Sequence, residues 1–414
     1  MGRLVRRTWN YWRGTRQVNE PYDAYVPHRL AGWAPSPGSQ TIERIGVAGD
    51  SLRAWTLDAP QSRALAWCLN RAEGIASSDV EGIRTTLKSL SLLESLRAVR
   101  SPTRAELDRQ ALGNVRLNAH AIAVGQRRGA PVTIIDVEEM HRRLFSNTSQ
   151  QLESGAVRDE QNWVGHGHQR TPAQAHFVPP PPESLRPLLD DTLRYVSAPV
   201  WGSPIAKAAL AHLQFETIHP FLDGNGRVGR ALIHTVMSRD MGTSVPLPLS
   251  AAIAARKDDY YQALQPYQTF VGDASDPERS QAASATIDYV ADAVAVACRY
   301  AQVVAEAIDH MEQSWAALGL RSHSAAAAVL ERMSTMPAAT TAFLSEATER
   351  SPRAIRRAVA DLVDRGALTE TIDADSGRRV FELAEMLRVV DEREGLLLDC
   401  WDLHTSAADG ARPS

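Results

Sequence analysis

Several features that would place this chain in a specialised class are scarce or missing. It has three cysteines in 414 residues, Cys68, Cys298 and Cys400, too far apart for a metal-ligand motif. We therefore expect reduced thiols rather than disulfides or a zinc site. No run approaches the ~18 uninterrupted apolar residues of a membrane span, and the net charge of −4 argues against a general polyanion binder. These absences predict a cytoplasmic protein of two to three domains, with no membrane partner.

One segment concentrates residues that carry chemistry, since residues 219–230 read HPFLDGNGRVGR. Gly224 and Gly226 permit φ > 0 and let backbone N–H groups face an anion. The segment runs into an apolar, helix-periodic stretch, and the N-terminus of that helix would present free N–H groups to the same anion. Arg227 and Arg230 are three residues apart, so both guanidinium groups project from one helix face. The spacing predicts a phosphate-binding turn.

Two further residues add reactive groups to this turn. Asp223 offers hard carboxylate oxygens beside the phosphates, the usual way in which Mg²⁺ is held. His219, whose ordinary pKa lies near neutrality, can take a proton from an attacking hydroxyl. A capped, glycine-rich helix start would explain the glycines but not the complete set. We therefore predict metal-assisted nucleotidyl or phosphoryl transfer.

The segment resembles the signature of the Fic (filamentation-induced-by-cAMP) family, H-x-F-x-D-G-N-G-R-x-x-R, at every defined position. The resemblance implies a protein adenylyltransferase that uses Mg²⁺ and moves AMP from ATP to a hydroxyl side chain of a target protein or of itself. It implies His219 as general base and Asp223 as Mg²⁺ ligand. Relatives that phosphorylate carry Lys in place of Gly226, so AMP transfer is expected; UTP or another nucleotide stays open, because the loop reads phosphates. The implied nucleotide-binding residues are Gly224 and Gly226 in the anion turn, Asn225 at the α-phosphate, Arg227 at the β-phosphate and Arg230 at the γ-phosphate.

A second motif lies upstream, where Ser77 and Glu81 are four residues apart and Gly82 follows. On a helix the first two side chains share a face. The segment resembles the inhibitory motif of the family, which implies that Glu81 reaches Arg230 and occupies the position of the γ-phosphate. A solvated surface carboxylate is the simpler alternative. A third reading is that Glu81 positions a water, so that the same site removes AMP from a modified target.

The stretch before the loop resembles the flap of the family, which is expected to bind an extended target segment as an added strand over about residues 163–178. The proline run at 179–182 would otherwise suit a polyproline ligand. The flap-like segments lie at residues 155–158, 161–165 and 175–182.

Four other histidines are discounted as site residues. His166 and His168 are interpreted as polar surface residues, because no acidic or cysteine partner lies near them in sequence. His212 and His234 flank the loop on helical segments and are predicted to support packing.

A separate pattern covers residues 321–390, where three helical segments precede two strand-like ones. It resembles the winged-helix module that many bacterial Fic proteins carry at this end. Arginines on the outward face of the third helix and in the wing could contact DNA phosphates. Residues 322–390 hold nine Arg against ten Asp or Glu, so a protein-contact or dimerisation role fits at least equally well. The arginines concerned are Arg353, Arg356, Arg357, Arg378 and Arg379.

The predicted fold class is all-α, with a small β-hairpin flap and a C-terminal winged helix-turn-helix domain. A homodimer is left open. The predicted organisation is a basic N-terminal tail at 1–20, a helical region with the inhibitory motif at 21–115, a catalytic domain at 116–275, a helical connector at 276–320, a winged-helix domain at 321–390 and a C-terminal tail at 391–414.

Overall fold

The computed structural model describes residues 2–58, 62–96, 102–151, 154–165, 171–199, 202–271 and 276–410. Over these ranges the chain is mostly helical, as predicted, and none of the described helices is both long and apolar enough to cross a membrane. The helices are α1 (Ser39–Asp58), α2 (Arg63–Val80), α3 (Leu87–Leu96), α4 (Pro102–Gln126), α5 (Ile134–Leu144), α6 (Pro182–Ser197), α7 (Pro204–Ile218), α8 (Asn225–Met241), α9 (Leu249–Ala255), α10 (Lys257–Gln268), α11 (Asp276–Ala317), α12 (Ala325–Met333), α13 (Thr341–Ala347), α14 (Pro352–Asp364), α15 (Ala384–Asp391) and α16 (Arg393–Gly410).

The N-terminus is a β-hairpin, so the prediction of a basic tail at 1–20 is wrong. Strand β1 (Arg3–Arg13) pairs antiparallel with β2 (Arg16–Val26), and Gly14 makes the turn at φ +62°. The segment intersperses its arginines with Val, Thr, Trp and Tyr, the residue types that favour strands. The positive charge therefore lies along a β-ribbon.

This hairpin is anchored by residues of the predicted flap. The backbone N–H of Tyr25 donates to the carbonyl of Val178 at 2.8 Å. Trp9 packs edge-on against Trp163, with ring centroids 5.3 Å apart. Because these partners lie some 150 residues away along the chain, local sequence alone does not indicate that the hairpin is ordered.

Helices α7 and α8 lie at the centre of the fold. Both are buried around most of their circumference: all but one residue of α7 is buried, and α8 buries 13 of its 17 residues, polar ones included. α8 packs against α4 and α7, while α2 packs against α4 and α9. α11, about 63 Å long at 1.5 Å per residue, runs past α1, α7 and α10. The loop between α7 and α8 is thus held on a rigid scaffold.

The periodicity of the sequence predicts a helix from Ile83 to Val99, but α3 begins four residues later, at Leu87. Gly82, at φ +80°, ends the preceding turn. The hydroxyl of Thr86 accepts the backbone N–H of Ser89 at 3.0 Å, which fixes the new helix start. Residues 81–86 therefore form a connection between α2 and α3.

Residues 325–391, the C-terminal unit, combine α12 to α15 with a small antiparallel sheet in the order β3-β5-β4. The three predicted helical segments form α12, α13 and α14, and both predicted strand-like segments form strands. The order of elements is that of the predicted winged helix-turn-helix, an assignment that stays a prediction. The strands are β3 (Ala338–Ala339), β4 (Thr369–Ile372) and β5 (Arg379–Glu382).

The chain does not continue from this unit as the tail predicted at 391–414. It forms α16, which packs against α9 and α11. Leu397 and Trp401 are buried one turn apart, and the indole N–H of Trp401 donates to the carbonyl of Ala252 at 3.1 Å. This apolar stripe explains why the segment is ordered.

Candidate active site

The site begins where α7 ends. His219 follows the last helical residue and adopts φ +51°, ψ +60°, while its N–H donates to the carbonyl of Phe215 at 2.9 Å. A left-handed conformation is uncommon for a residue with a side chain and must be held by its surroundings. Here Arg158, which is buried, donates from Nε to the His219 carbonyl at 2.9 Å.

The His219 side chain has a defined tautomer. Its Nδ1 lies 3.3 Å from the carbonyl oxygen of Glu216, which can only accept, so Nδ1 carries the proton and Nε2 keeps a lone pair. Burial lowers the pKa of His219 to about 4. At neutral pH the imidazole is therefore an uncharged proton acceptor.

The turn between the helices is closed by Asn225. Its Oδ1 accepts the backbone N–H of Phe221 and its Nδ2 donates to the Phe221 carbonyl, both at 2.8 Å. Gly224 caps α8 at φ +79°, where a Cβ would lie 2.8 Å from the Leu144 side chain. Because Oδ1 and one of the two Nδ2 donors are used, the groups of Asn225 left for the predicted α-phosphate contact are its backbone N–H and the second Nδ2 donor.

His141, on α5, also holds this turn and was missed from the sequence. Its Nδ1 accepts the Gly155 N–H at 2.7 Å, so Nε2 carries the proton and donates to the Asp223 carbonyl at 3.0 Å. Its ring stacks on Phe221 at 4.0 Å, and burial lowers its pKa to about 4. The sequence feature that could have indicated a buried histidine is its position on the apolar stripe of α5, four residues after Val137.

Arg227 is buried but incompletely paired. Only 2% of its side chain is exposed, and Nη2 lies 3.3 Å from Oδ1 of Asp223. Its Nε and Nη1 find no hydrogen-bond partner within the part of the chain that the structure describes. Buried guanidinium donors are expensive to leave unpaired, so this position favours an anionic ligand.

Arg230, one turn further along α8, has the opposite environment. Its Nε donates to the Ser77 hydroxyl at 3.0 Å, and its Nη2 donates to the Ser77 carbonyl at 2.7 Å and to Oε1 of Glu81 at 2.9 Å. The predicted contact between Glu81 and Arg230 is therefore present. Glu81 caps α2 and is followed by Gly82 in the left-handed region. Residues 77–82, which are the last turn of α2 and its cap, form the Glu81 turn.

Gly226 leaves room for that carboxylate. A Cβ at Gly226 would collide with Oε1 of Glu81 and would lie 3.0 Å from Nη1 of Arg230. The Glu81 carboxylate therefore lies directly against the predicted anion turn.

The predicted β-hairpin flap is reduced, among the described residues, to a single bridge between Val164 and Phe177. Arg158 fixes its base by donating from Nη2 to the Pro180 carbonyl at 2.7 Å. Val164 itself is exposed. His166 and His168 lie outside the described residues.

The other discounted histidines pack as predicted. His212 is fully buried, with Nε2 2.9 Å from the Tyr260 hydroxyl. His234 lies 2.9 Å from Oε1 of the buried Glu73, which also accepts from Ser250.

Glu216 is a further residue that sequence reasoning missed. It lies in the last turn of α7, and burial raises its pKa to about 8 despite the nearby Arg230. A carboxyl on a helix buried on every face was the available signal.

Asp223 fits the predicted Mg²⁺ role. Its side chain is 56% exposed, and Oδ1 is tethered by the Gly224 N–H at 2.6 Å. The described residues contain no cluster of three or more His, Cys, Asp or Glu side chains suited to a metal. A single accessible carboxylate matches Mg²⁺ that is bound mainly through substrate phosphates.

Sequence comparisons with known proteins cover the region that contains this site. Residues 131–237 match the sequence model of the Fic/DOC family. Protein adenylyltransferase fic-1 of Caenorhabditis elegans is 33% identical over 135 residues, which are 32% of this chain and 23% of the relative. Protein adenylyltransferase Fic of Drosophila ananassae is 32% identical over 155 residues, 35% of this chain and 28% of the relative. The chain thus spans about a quarter of the length of these curated relatives.

The fold is also that of a solved structure. A Fic family protein from Desulfovibrio desulfuricans G20 superposes with a TM-score of 0.53 at 20% identity, covering 85% of this chain and 98% of that one. This likeness establishes a shared fold beyond the 131–237 region.

Proposed function

We propose that the chain, whose residues 131–237 match the sequence model of the Fic/DOC family, is a protein adenylyltransferase that transfers AMP from ATP to a hydroxyl side chain. The observation that carries the proposal is the buried Arg227: two of its nitrogens find no hydrogen-bond partner among the described residues, and the third lies 3.3 Å from Oδ1 of Asp223. Together with neutral His219, they provide an anion site, a metal ligand and a base within twelve residues.

In the proposed reaction, the hydroxyl oxygen of a Ser, Thr or Tyr on the target attacks the α-phosphorus of ATP. A new P–O bond forms, the bond to the β-phosphate oxygen breaks, and pyrophosphate leaves. The hydroxyl proton goes to Nε2 of His219, since Nδ1 is held by the Glu216 carbonyl. The low pKa of this histidine keeps Nε2 available at neutral pH.

The nucleotide would be held by the anion turn and by two arginines. Gly224, Asn225 and Gly226 offer backbone N–H groups at the start of α8, where the helix dipole favours negative charge. Arg227 would contact the β-phosphate and Arg230 the γ-phosphate. Mg²⁺ would bind Asp223 together with phosphate oxygens, and when bound it supplies positive charge that stabilises the leaving pyrophosphate.

The target would dock on the flap, at about residues 163–178. The one bridge at Val164 and the exposure of that residue support strand addition by an extended target segment. The acceptor can belong to another protein or to a second copy of this chain.

We also propose that Glu81 restrains the enzyme. The carboxylate that holds Arg230 occupies the place where a γ-phosphate would bind. The two negatively charged groups would also repel each other. ATP would then bind in an unproductive pose. The alternative is removal of AMP at the same site, with Glu81, 31% exposed, positioning a water.

The test is incubation with Mg²⁺ and ATP labelled on either the α- or the γ-phosphate. AMP transfer predicts a labelled protein band with α-labelled ATP and none with γ-labelled ATP. Label from the γ-position alone would indicate phosphorylation and contradict the proposal. Release of AMP from a modified substrate by wild type, lost in Glu81→Gly, would favour AMP removal.

A second candidate function is DNA binding by α14 and the wing. Arg353, Arg356 and Arg357 are exposed on α14, and no ion pair to any of them is found among the described residues. Arg379 in the wing is instead paired with Glu370 at 3.2 Å. Unpaired arginines on the second helix of a helix-turn-helix suit phosphate contacts. Duplex binding that falls steeply with salt, and is lost when the three arginines become Glu, would support it; no binding at low salt would contradict it.

A further inference from the structure

The Glu81 turn is tied to the C-terminal end of the chain by an ion pair. Asp79, two residues before Glu81, accepts from Nη2 of Arg393 at 3.0 Å. Arg393 is the first residue of α16, and its Nη1 donates to the Val390 carbonyl at 3.1 Å. Its side chain is 11% exposed, so this pair is better shielded than most surface ion pairs.

The other side of the turn is attached to the C-terminal unit itself. Asp391 accepts the first backbone N–H of α3, that of Leu87, at 2.5 Å and the N–H of Lys88 at 3.3 Å. The Lys88 ammonium lies 2.7 Å from Glu382, on strand β5 of the predicted wing. Residue 79 and residues 87–88 are thus both bound to residues 382–393, and Glu81 lies between them in the sequence.

Glu81 is also held by the end of its own helix, since its backbone N–H donates to the carbonyls of Ser78 and Asp79. Its side chain contacts Arg230 and is about one-third exposed. Residues 81–86 form no helix, and Gly82 allows the backbone there to change direction. The C-terminal residues therefore add one anchor before Glu81, at Asp79, and another after it, at Leu87 and Lys88, to the support that α2 supplies.

We propose that Asp79 and Arg393 are positioning residues for Glu81, and that residues 382–393 hold the Glu81 turn against Arg230. The proposal rests on the proposed adenylyltransferase function and adds a source of control: movement of the C-terminal unit, such as on binding its partner, shifts Glu81 away from Arg230. Sites coupled in this way typically change one another's affinity by about 5- to 150-fold.

The test is labelled AMP incorporation by Arg393→Ala and Asp79→Asn, each made in wild type and in Glu81→Gly. We expect each to raise incorporation by about fivefold in wild type and to change nothing once Glu81 is absent. Arg393→Lys, which keeps the charge, should restore part of the restraint. Arg365→Ala, which breaks the exposed pair with Asp361 in the C-terminal unit, is the matched control and should leave the rate unchanged.

A readout independent of activity separates this proposal from the proposed function. Amide hydrogen exchange of residues 79–86 should be faster in Arg393→Ala than in wild type and in Arg365→Ala. Unchanged exchange, or equal fold-changes in both backgrounds, would overturn the positioning role. If Glu81→Gly incorporates no AMP, the proposed function fails, while hydrogen exchange still decides the coupling. If Arg393→Ala does not fold, AMP incorporation and hydrogen exchange of Asp79→Asn test the proposal in its place.

Discussion

Two arginines one turn apart on α8 have almost equal burial and opposite surroundings. Arg227, 2% exposed, shares one long contact with Asp223 and keeps two nitrogens unpaired among the described residues. Arg230, 1% exposed, donates three hydrogen bonds to Ser77 and Glu81. One of the two arginines on this helix therefore has donors that an anionic ligand could satisfy, and the other is already paired with a carboxylate.

The difference comes from what packs against each side of α8. The Arg227 side faces α5 and the exposed carboxylate of Asp223, while the Arg230 side faces the end of α2. A phosphate would relieve the unpaired Arg227 donors but would have to displace Glu81 to reach Arg230. We therefore propose that the part of the site around Arg227 is preformed for phosphate and that access of the γ-phosphate to Arg230 is the controlled step.

The largest effect should come from His219, the proposed general base. His219→Ala in the Glu81→Gly background should lower AMP incorporation by about 10²- to 10⁴-fold, the usual contribution of a general base. His310→Ala, at an exposed histidine near Glu385, is the control. Retained activity in His219→Ala would mean that the proton leaves by another route.

The proposed difference between Arg227 and Arg230 can be tested by substitution. Arg227→Ala should lower kcat/KM for ATP by about 10- to 150-fold, because a hydrogen bond to a charged group contributes about 1.5–3 kcal/mol. The loss should occur both with and without Glu81, since Arg227 is not blocked. Arg239→Ala, near the other end of α8, should leave kcat/KM unchanged. A loss confined to Glu81→Gly would show that Arg227 is restrained too.

A methyl group tests whether the γ-phosphate and the Glu81 carboxylate use the same space at Gly226. Gly226→Ala should lower AMP incorporation about fivefold in the Glu81→Gly background, because a Cβ that collides with Oε1 of Glu81 would also collide with a γ-phosphate in its place, and overpacking costs on the order of 1 kcal/mol. Equal incorporation by Glu81→Gly and Glu81→Gly/Gly226→Ala would contradict the shared position.

The smallest expected effect concerns pH. Because burial lowers the pKa of His219 to about 4, protonation of the base should not reduce the rate of Glu81→Gly between pH 7.5 and 5.5. A histidine at its ordinary pKa would lose about 90% of its neutral form by pH 5.5. Half-maximal activity near pH 6.5, once the rate is shown to be limited by chemistry, would contradict the assigned environment of His219.

The local parts of the site were predictable from sequence, because their residues are neighbours along the chain. The glycine turn, the helix start at α8 and the one-turn spacing of its arginines all follow from residues 219–230. The contact between Glu81 and Arg230 was also predicted, although through a motif resemblance and not from geometry.

The parts that sequence reasoning missed depend on contacts across the fold. The β1–β2 hairpin is ordered by Val178 and Trp163, and His141 reaches Asp223 from another helix. The pair between Asp79 and Arg393 joins residues more than 300 positions apart. Nothing in the local pattern around any of these residues specifies its partner.

The most direct test of the central claim is AMP incorporation by wild type, Glu81→Gly and Glu81→Gly/Arg230→Ala at equal concentration. We predict that Glu81→Gly exceeds wild type and that the added Arg230→Ala removes the gain, because the freed guanidinium is what the γ-phosphate needs. Equal incorporation by wild type and Glu81→Gly would contradict the claim that Glu81 blocks the site by holding Arg230.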